Sequence, residues 1–477
     1  MDQTLDDTDA YEMARAIRVG ELSPVEAVEH TLARIEALDG PLNAFTVTFP
    51  DEARAAARAC ERRAREDDHP PLLGVPVSIK DHIWMKGAPA TNGSVALRDF
   101  VPAEDCALVD RIRRSGAIIV GKTNNPEFVY RSYTDNALYG LTRNPWDPER
   151  TPGGSSGGSG AAVAAGMAPL SVGTDGGGSI RIPASFCGIT GLKPTFGLVP
   201  KLPGFRGWPT LSVDGPLTRT VRDCALLLSV IAGQHPADDL SFPRPPVDYV
   251  AEATRGDGLA GLRIAHTEDM GFAPVDRCVR EAFRSAVTAL GAAGAVLAEA
   301  HPPTGDTADL WWRIAAAEGF ASEGPMLAEH EGVMSPGTPE IIRAGERYSA
   351  ADYLDAQHER SVFTRAWAEF FQKFDVLVAP AMQVPAFPVG QGAPTEVEGV
   401  PCDPLFEDWC SMIYVANLTG QPSLSVPMGY SADGLPLGMQ IIGRRFEDDV
   451  VLRVGAAWER LAPWRDDWPP LVRPHRR

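Results

Sequence analysis

Thr151-Pro-Gly-Gly-Ser-Ser-Gly-Gly-Ser-Gly-Ala-Ala-Val-Ala-Ala-Gly-Met167 runs directly into Ala168-Pro-Leu-Ser-Val-Gly-Thr-Asp-Gly-Gly-Gly-Ser-Ile-Arg-Ile-Pro-Ala184. So many small residues suggest a flexible Gly/Ser linker. The pattern argues otherwise, because the Gly/Ser runs are interrupted by a small-residue helix over about 159–166 and a short apolar strand over 169–173. The first loop, Gly153 to Ser156, ends at a helix N-terminus, where free N–H groups and the helix dipole favour negative charge. The second, Gly176-Gly-Gly-Ser179, follows the strand. Consecutive glycines let successive N–H groups converge on one point. A serine ending such a loop sits beside its own oxyanion hole, the combination acyl transfer needs: a nucleophile with fixed donors about 3 Å from the developing charge.

Two other motifs fail in this stretch. Neither glycine loop ends in the Gly-Lys-Ser/Thr of a phosphate-binding P-loop. Gly153-Gly-Ser-Ser-Gly157 formally matches a G-x-S-x-G nucleophile elbow, but that elbow needs a strand immediately before it. Here Asn144-Pro-Trp-Asp-Pro-Glu-Arg-Thr-Pro152 precedes it, which is turn-like and too proline-rich for a central strand.

Outward from this block the chain alternates. Two helices are expected within 9–38, the second opened by Ser23-Pro-Val-Glu26, which reads as N-cap, first-turn proline and capping-box glutamate. A third covers about 51–66. Leu73 to Ile79 reads as a strand ending at Lys80. Helices at 105–115, 220–232, 275–293, 351–374 and 447–461 and strands at 117–120, 262–266 and 375–379 complete an α/β layered pattern. The acidic, proline-rich segments 235–260 and 380–405 read as long surface excursions within one sheet rather than as linkers.

Bulk properties exclude several classes. Lys and Arg number 44 against 63 Asp and Glu, a formal charge of 44 − 63 = −19. That disfavours nucleic acid as a partner and weakly disfavours anionic substrates; the basic end Arg473-Pro-His-Arg-Arg477 is too short to change this. Seven scattered cysteines with no CxxC fit free thiols in a reducing, cytoplasmic setting. The start Met-Asp-Gln-Thr lacks the basic and apolar regions of a signal peptide, and no apolar run is long enough for a membrane span. The nine histidines form no metal-binding pattern, so neither metal nor cofactor is expected.

The sequence closely resembles the amidase signature family. The resemblance rests on Gly153 to Gly166, on Gly173-Thr-Asp-Gly-Gly-Gly-Ser-Ile-Arg181 and on Phe186-Cys-Gly-Ile-Thr-Gly-Leu-Lys-Pro-Thr-Phe-Gly197. Gly74-Val-Pro-Val-Ser-Ile-Lys-Asp81, Gly121-Lys-Thr-Asn124, Gly215-Pro-Leu-Thr-Arg219, Asn417-Leu-Thr-Gly-Gln-Pro422 and Gly434 to Gly443 extend it along nearly the whole chain, most weakly between about 235 and 405. It implies a single α/β/α domain over 1–477 around a large mixed β-sheet, with N-terminal helices over about 9–66 and a variable substrate-pocket region over about 235–405.

The resemblance also implies a triad of serine, a serine preceded by a cis peptide, and lysine. Residue by residue these fall on Ser179, Ser155 and Lys80, with oxyanion donors at Gly176, Gly177, Gly178 and Ser179. His82 departs from the pattern, since many members carry Asn there, and it reads as structural. A free lysine has a pKa near ~10.4, so only about one in a few thousand is neutral at pH 7. Burial among hydroxyls, without a carboxylate partner, lowers that value. Neutral Lys80 then takes a proton from Ser155 as Ser155 takes one from Ser179, and an acyl-enzyme forms. The competing expectation for Lys80 is an ion pair with Asp81 or another surface acid. Asp175 and Arg181 are expected to hold the loop. Ser156 and Ser159 are expected as helix caps, with Lys80 as a second candidate partner for Ser156.

The substrate expected is a small-molecule amide, with esters and carbamates (urethanes) open to the same attack, and a homodimer follows by analogy. Tyr130 and Ser132 are substrate-contact candidates. Trp311, Trp312, Phe320, Tyr348, Phe406, Trp409 and Met412 are either pocket lining or plain helix core. A competing reading is the glutamine-hydrolysing subunit of a tRNA-dependent amidotransferase. Similar glutamine-using members carry an acidic residue seven positions before the Asn of the closing motif, and here Asn417 points to Cys410 instead. A non-catalytic member is the third reading, disfavoured because all three triad positions are present.

Overall fold

The computed structural model describes residues 3–65, 69–256, 258–303 and 305–475. Met1 and Asp2, residue 66 at the end of the expected third helix, and Arg476 and Arg477 of the basic end lie outside the described residues. The strands are β1 Phe45–Thr48, β2 Pro76–Lys80, β3 Ile118–Thr123, β4 Leu170–Asp175, β5 Thr190–Lys193, β6 Val213–Thr218, β7 Arg263–His266, β8 Val296–Glu299, β9 Val376–Pro380, β10 Glu396–Val397, β11 Val400–Pro401, β12 Ser423–Tyr430 and β13 Pro436–Gly443. Apart from the β10–β11 ribbon they form one 11-stranded sheet, ordered β1-β3-β2-β4-β6-β5-β12-β13-β9-β7-β8. It is mixed: β2 runs parallel to both β3 and β4, and β7 to β8 and β9, while β4, β6, β5, β12, β13 and β9 are joined by antiparallel pairs.

Successive side chains of a strand point to opposite faces, and β3 shows the consequence. Ile119 enters one core cluster together with the helices Ala107–Arg114, Val221–Ile231, Arg277–Ala292 and Asp448–Leu461. Ile118 and Val120 enter another with Pro24–Leu42, Pro50–Arg65 and Gly157–Ala164. Helices therefore cover both faces, giving the expected α/β/α layering. The Ser23 capping box forms as expected, with Pro24 in the first turn.

Several elements escape the sequence pattern. β6 reads Val-Asp-Gly-Pro-Leu-Thr, poor strand composition. It is a strand because β4 and β5 flank it, with Gly215 opposite Gly173. The helices Arg181–Cys187 and Ala308–His330 also lie outside the expected elements. The two expected surface excursions are only partly so. Residues 235–260 include the helix Tyr249–Ala253, whose Tyr249 and Ala253 are buried in the core, and 380–405 begins with the buried residues Ala381, Met382, Val384 and Ala386 before the ribbon. Among the described residues no helix is long and apolar enough to cross a membrane.

Candidate active site

β2 lies between β3 and β4, so its last residue, Lys80, emerges at the middle of that half of the sheet. The side chain is fully buried. Its Nζ donates to Ser155 Oγ at 2.7 Å and to Thr174 Oγ1 at 2.7 Å. Asp81 is occupied elsewhere, accepting from Thr91 at 2.8 Å, so the expected Asp81 ion pair is not the arrangement found. Burial drives the Lys80 pKa well below the ordinary lysine value, although Asp214, Asp175 and Asp81 pull the other way.

The Gly154–Ser155 peptide is cis, and Ser155 is buried. The next amide, Ser156 N–H, donates to the Ser179 carbonyl at 3.1 Å and ties the two glycine loops together. Ser179 sits between β4 and the helix Arg181–Cys187 and is 7% exposed. Gly178 before it has φ 103°, a left-handed conformation that favours glycine. Its N–H donates to Asp175 Oδ1 at 2.8 Å, so Gly178 is not free as the oxyanion donor expected from sequence. The amides of Gly176, Gly177 and Ser179 have no acceptor among the described residues.

Asp175 and Arg181 hold the loop, as expected. They form a fully buried pair at 3.0 Å, Asp175 also accepts from the Ile180 amide at 3.2 Å, and Arg181 reaches the Ile413 carbonyl at 2.8 Å. Burial opposes the Asp175 charge, but the adjacent guanidinium more than offsets it and the carboxyl stays below the usual range. Asn417 completes the network, donating to the Asp175 carboxylate at 2.9 Å and accepting from Arg181 at 2.6 Å.

Ser156 and Ser159 are not the side-chain caps expected. Ser156 Oγ exchanges bonds with the backbone of Thr174, both at 3.2 Å, and Ser159 Oγ pairs with Thr123 Oγ1 at 2.7 Å. The second hydroxyl on Lys80 belongs to Thr174, not Ser156. His82 bonds Asn92 Oδ1 at 2.9 Å; burial first, then the neighbouring Lys80, push its pKa down to about 3. Tyr130 donates to Glu323 and lies 5.3 Å from Trp208, ring centroid to centroid. Ser132 is buried, and its amide donates to Glu407 at 2.9 Å.

Residues 26–452 match the Amidase family. The chain belongs to the amidase signature family. It is 39% identical over 475 residues to an acylamidase of Rhodococcus erythropolis, covering 98% of each chain. It is 40% identical over 486 residues to a glutamyl-tRNA(Gln) amidotransferase subunit of Chloroflexus aggregans, covering 96% of this chain and 97% of that one. The solved structure of a bacterial aryl acylamidase of the amidase signature family superposes with a TM-score of 0.89 at 33% identity over 96% of each chain. The protein is thus an amidase, a hydrolase of amide C–N bonds.

In this amidase signature chain a cavity lined by His82 and Asp214 adjoins the site, walled by Trp84, Phe128, Tyr130, Phe205 and Trp208; Lys80, Ser155 and Ser179 are not part of its lining. Trp208 forms its boundary with the glycine loop, since a Cβ on Gly176 would lie 2.6 Å from that ring. The aromatic residues singled out from sequence are elsewhere. Trp409 and Met412 are core, and Trp312 and Phe406 pack on each other with ring centroids 5.1 Å apart. Phe320 and Tyr348 pack at the edge of the same cluster as Trp311. Trp311 supports the loop: it stacks on Tyr414 at 4.3 Å and its Nε1–H donates to the Gly176 carbonyl at 2.9 Å. Thr174 and Asn417 were missed as site residues, and Trp311, singled out as pocket lining or helix core, anchors the glycine loop instead. Thr174 stood inside the quoted motif and was legible there; the anchoring role of Trp311 carries no local signal.

Proposed function

We propose that this protein is a free-standing amidase that cleaves apolar or aryl amides, with esters and aryl carbamates (urethanes) open to the same attack, through an acyl-enzyme on Ser179. The observation that carries this reading is Lys80, buried, driven toward its neutral form and hydrogen-bonded to Ser155 at 2.7 Å. Lys80 accepts a proton from Ser155 as Ser155 accepts one from Ser179. Ser179 Oγ bonds to the carbonyl carbon, and the amides of Gly176, Gly177 and Ser179 receive the oxyanion. The proton returns through Ser155 to the leaving nitrogen as the C–N bond breaks. Water then cleaves the acyl-enzyme by the same relay in reverse.

The aromatic walls of the cavity support an apolar or aryl group on the substrate, and we assign part of its lining, through Glu323, to the variable 235–405 region. Tyr130 faces this cavity and stays in the reading as a contact residue. Ser132, buried, contributes through its backbone bond to Glu407. Seven unpaired thiols support a cytoplasmic setting. Cys410 supports a free-standing enzyme over a glutamine-hydrolysing subunit: its thiol is buried against the Glu407 carbonyl and the Tyr414 hydroxyl, which makes it a poor anchor for an ammonium group.

The test is aniline release from a matched acyl anilide and aryl carbamate, with wild type and Ser179→Ala side by side. Release from one or both by wild type and from neither by the variant is expected, and the preferred partner sets the substrate class. Full activity in Ser179→Ala would overturn the mechanism.

A further inference from the structure

β6 runs antiparallel to β4 with Asp214 directly opposite Thr174. Directly opposed residues of such a pair stand on the same face. Thr174 is the second hydroxyl on Lys80, so Asp214 stands on the lysine's side of the sheet. Asp214 is only 5% exposed and lines the cavity, yet its carboxylate accepts no hydrogen bond from any described residue. The carboxylate opens into the cavity on the side of the buried amine, so it acts on that amine through its charge rather than through a hydrogen bond.

The groups around it sharpen this. On the loop after β5, the Lys201 ammonium donates to the Pro209 carbonyl at 3.3 Å and the Ser212 carbonyl at 3.1 Å rather than to Asp214. Asp238, which also bears on Asp214, accepts from the Lys201 amide at 2.8 Å. Arg206 and, from the helix Ala308–His330, Glu323 face the same cavity. His82 beyond β2 and Cys106 before the helix Ala107–Arg114 also line it; burial pushes the first down to about 3 and the second up to about 12, so both are neutral near pH 7. Burial raises Asp214 itself to about 6 against the pull of Lys201 and Lys80, which leaves it charged above that pH.

We propose that Asp214 is a positioning residue for proton transfer, its carboxylate setting the basicity of Lys80 and hence the pH at which the Lys80–Ser155–Ser179 relay switches on. The inference rests on the reading of Lys80 as the base. Burial lowers the basicity of that lysine, and a base works best with its pKa near the working pH. A nearby negative charge stabilises the ammonium and restores its basicity.

The experiment measures the second-order rate of Ser179 labelling by a fluorophosphonate from pH 5 to 10 on the full chain, so no natural substrate is needed. For Asp214→Asn the acid limb should move down by about one pH unit and the plateau should fall several-fold. Asp214→Glu should restore the wild-type limb. An unmoved limb in a folded Asp214→Asn protein overturns the proposal. If Asn unfolds the chain, Asp214→Ser provides the same reading; if both unfold while Glu folds, the residue is structural and the proposal is again overturned. Lys80→Ala separates the two levels. Wild-type labelling in that variant overturns the base assignment itself, whereas loss of labelling there with an unmoved limb in Asp214→Asn overturns only the inference about Asp214.

Discussion

Lys80 and Lys122 are both fully buried, and their partners explain why they differ. Lys122 donates to the carbonyls of Asp81, Ile83 and Pro89. Those oxygens hold an ammonium in place and have no proton to give. Lys80 donates to two hydroxyls, each able to exchange a proton with it. Lys80→Arg therefore tests the relay better than truncation does, because it keeps a cation and donors but cannot become neutral. Its kcat/KM for an acyl anilide should fall by about 10³-fold, with folding checked by circular dichroism; activity within tenfold of wild type would remove Lys80 as base. Lys80, Ser155 and Ser179 stood out as candidates because each sits in a short motif that resembles the family's. Asp214 did not, because a lone aspartate before Gly-Pro gains meaning only from the strand pairing that sets it opposite Thr174.

The loop Gly176 to Ser179 is held from two directions. Asp175 takes the amides of Gly178 and Ile180 from within, and Trp311 takes the Gly176 carbonyl from the helix Ala308–His330. A Cβ on Gly177 would lie 2.6 Å from the Trp311 ring, closer than van der Waals contact allows. Gly177→Ala should therefore shift the loop and misplace its donors, lowering kcat by about 10²–10³-fold while far-UV circular dichroism stays unchanged. Trp311→Phe, which removes the indole N–H anchor and part of the ring, should lose kcat more mildly. Equal kcat for Gly177→Ala and wild type would mean the loop is not held as described. The loop, helix and strand around it could be read from local pattern, since glycine runs and apolar runs are local signals. Trp311 lies well over a hundred residues away in sequence, and its spacing reads equally well as helix core.

The whole molecule carries buried carboxyls that folding makes less acidic. Burial raises Asp214 and Asp448 to about 6, Glu323, Glu407 and Glu459 to about 7, and Asp223 to about 8. Unfolded, they titrate near ~4. Between about pH 4.5 and 7 the folded state therefore binds more protons than the unfolded chain, and stability falls as pH rises. Asp175 has the opposite shift, so its contribution is complete above ~4 and is lost only as pH falls below that. His82, pushed down to about 3, works against the trend, as do the buried Lys80 and Lys193, the latter lowered to about 7. The urea midpoint should thus be higher at pH 5 than at pH 7, and a flat or rising midpoint would count against these burial effects.

Motif and resemblance were enough to specify the amidase signature class and the layered α/β architecture, and to bring Lys80, Ser155 and Ser179 forward as the proposed triad, because these signals are encoded over a few neighbouring residues. Strand order, the commitment of the Gly178 amide to Asp175, the choice of Thr174 as the second hydroxyl on Lys80, the walls of the cavity and the bare carboxylate of Asp214 emerged only on folding. Each depends on residues brought together from distant parts of the chain, where burial and pairing, not local composition, decide what a side chain does.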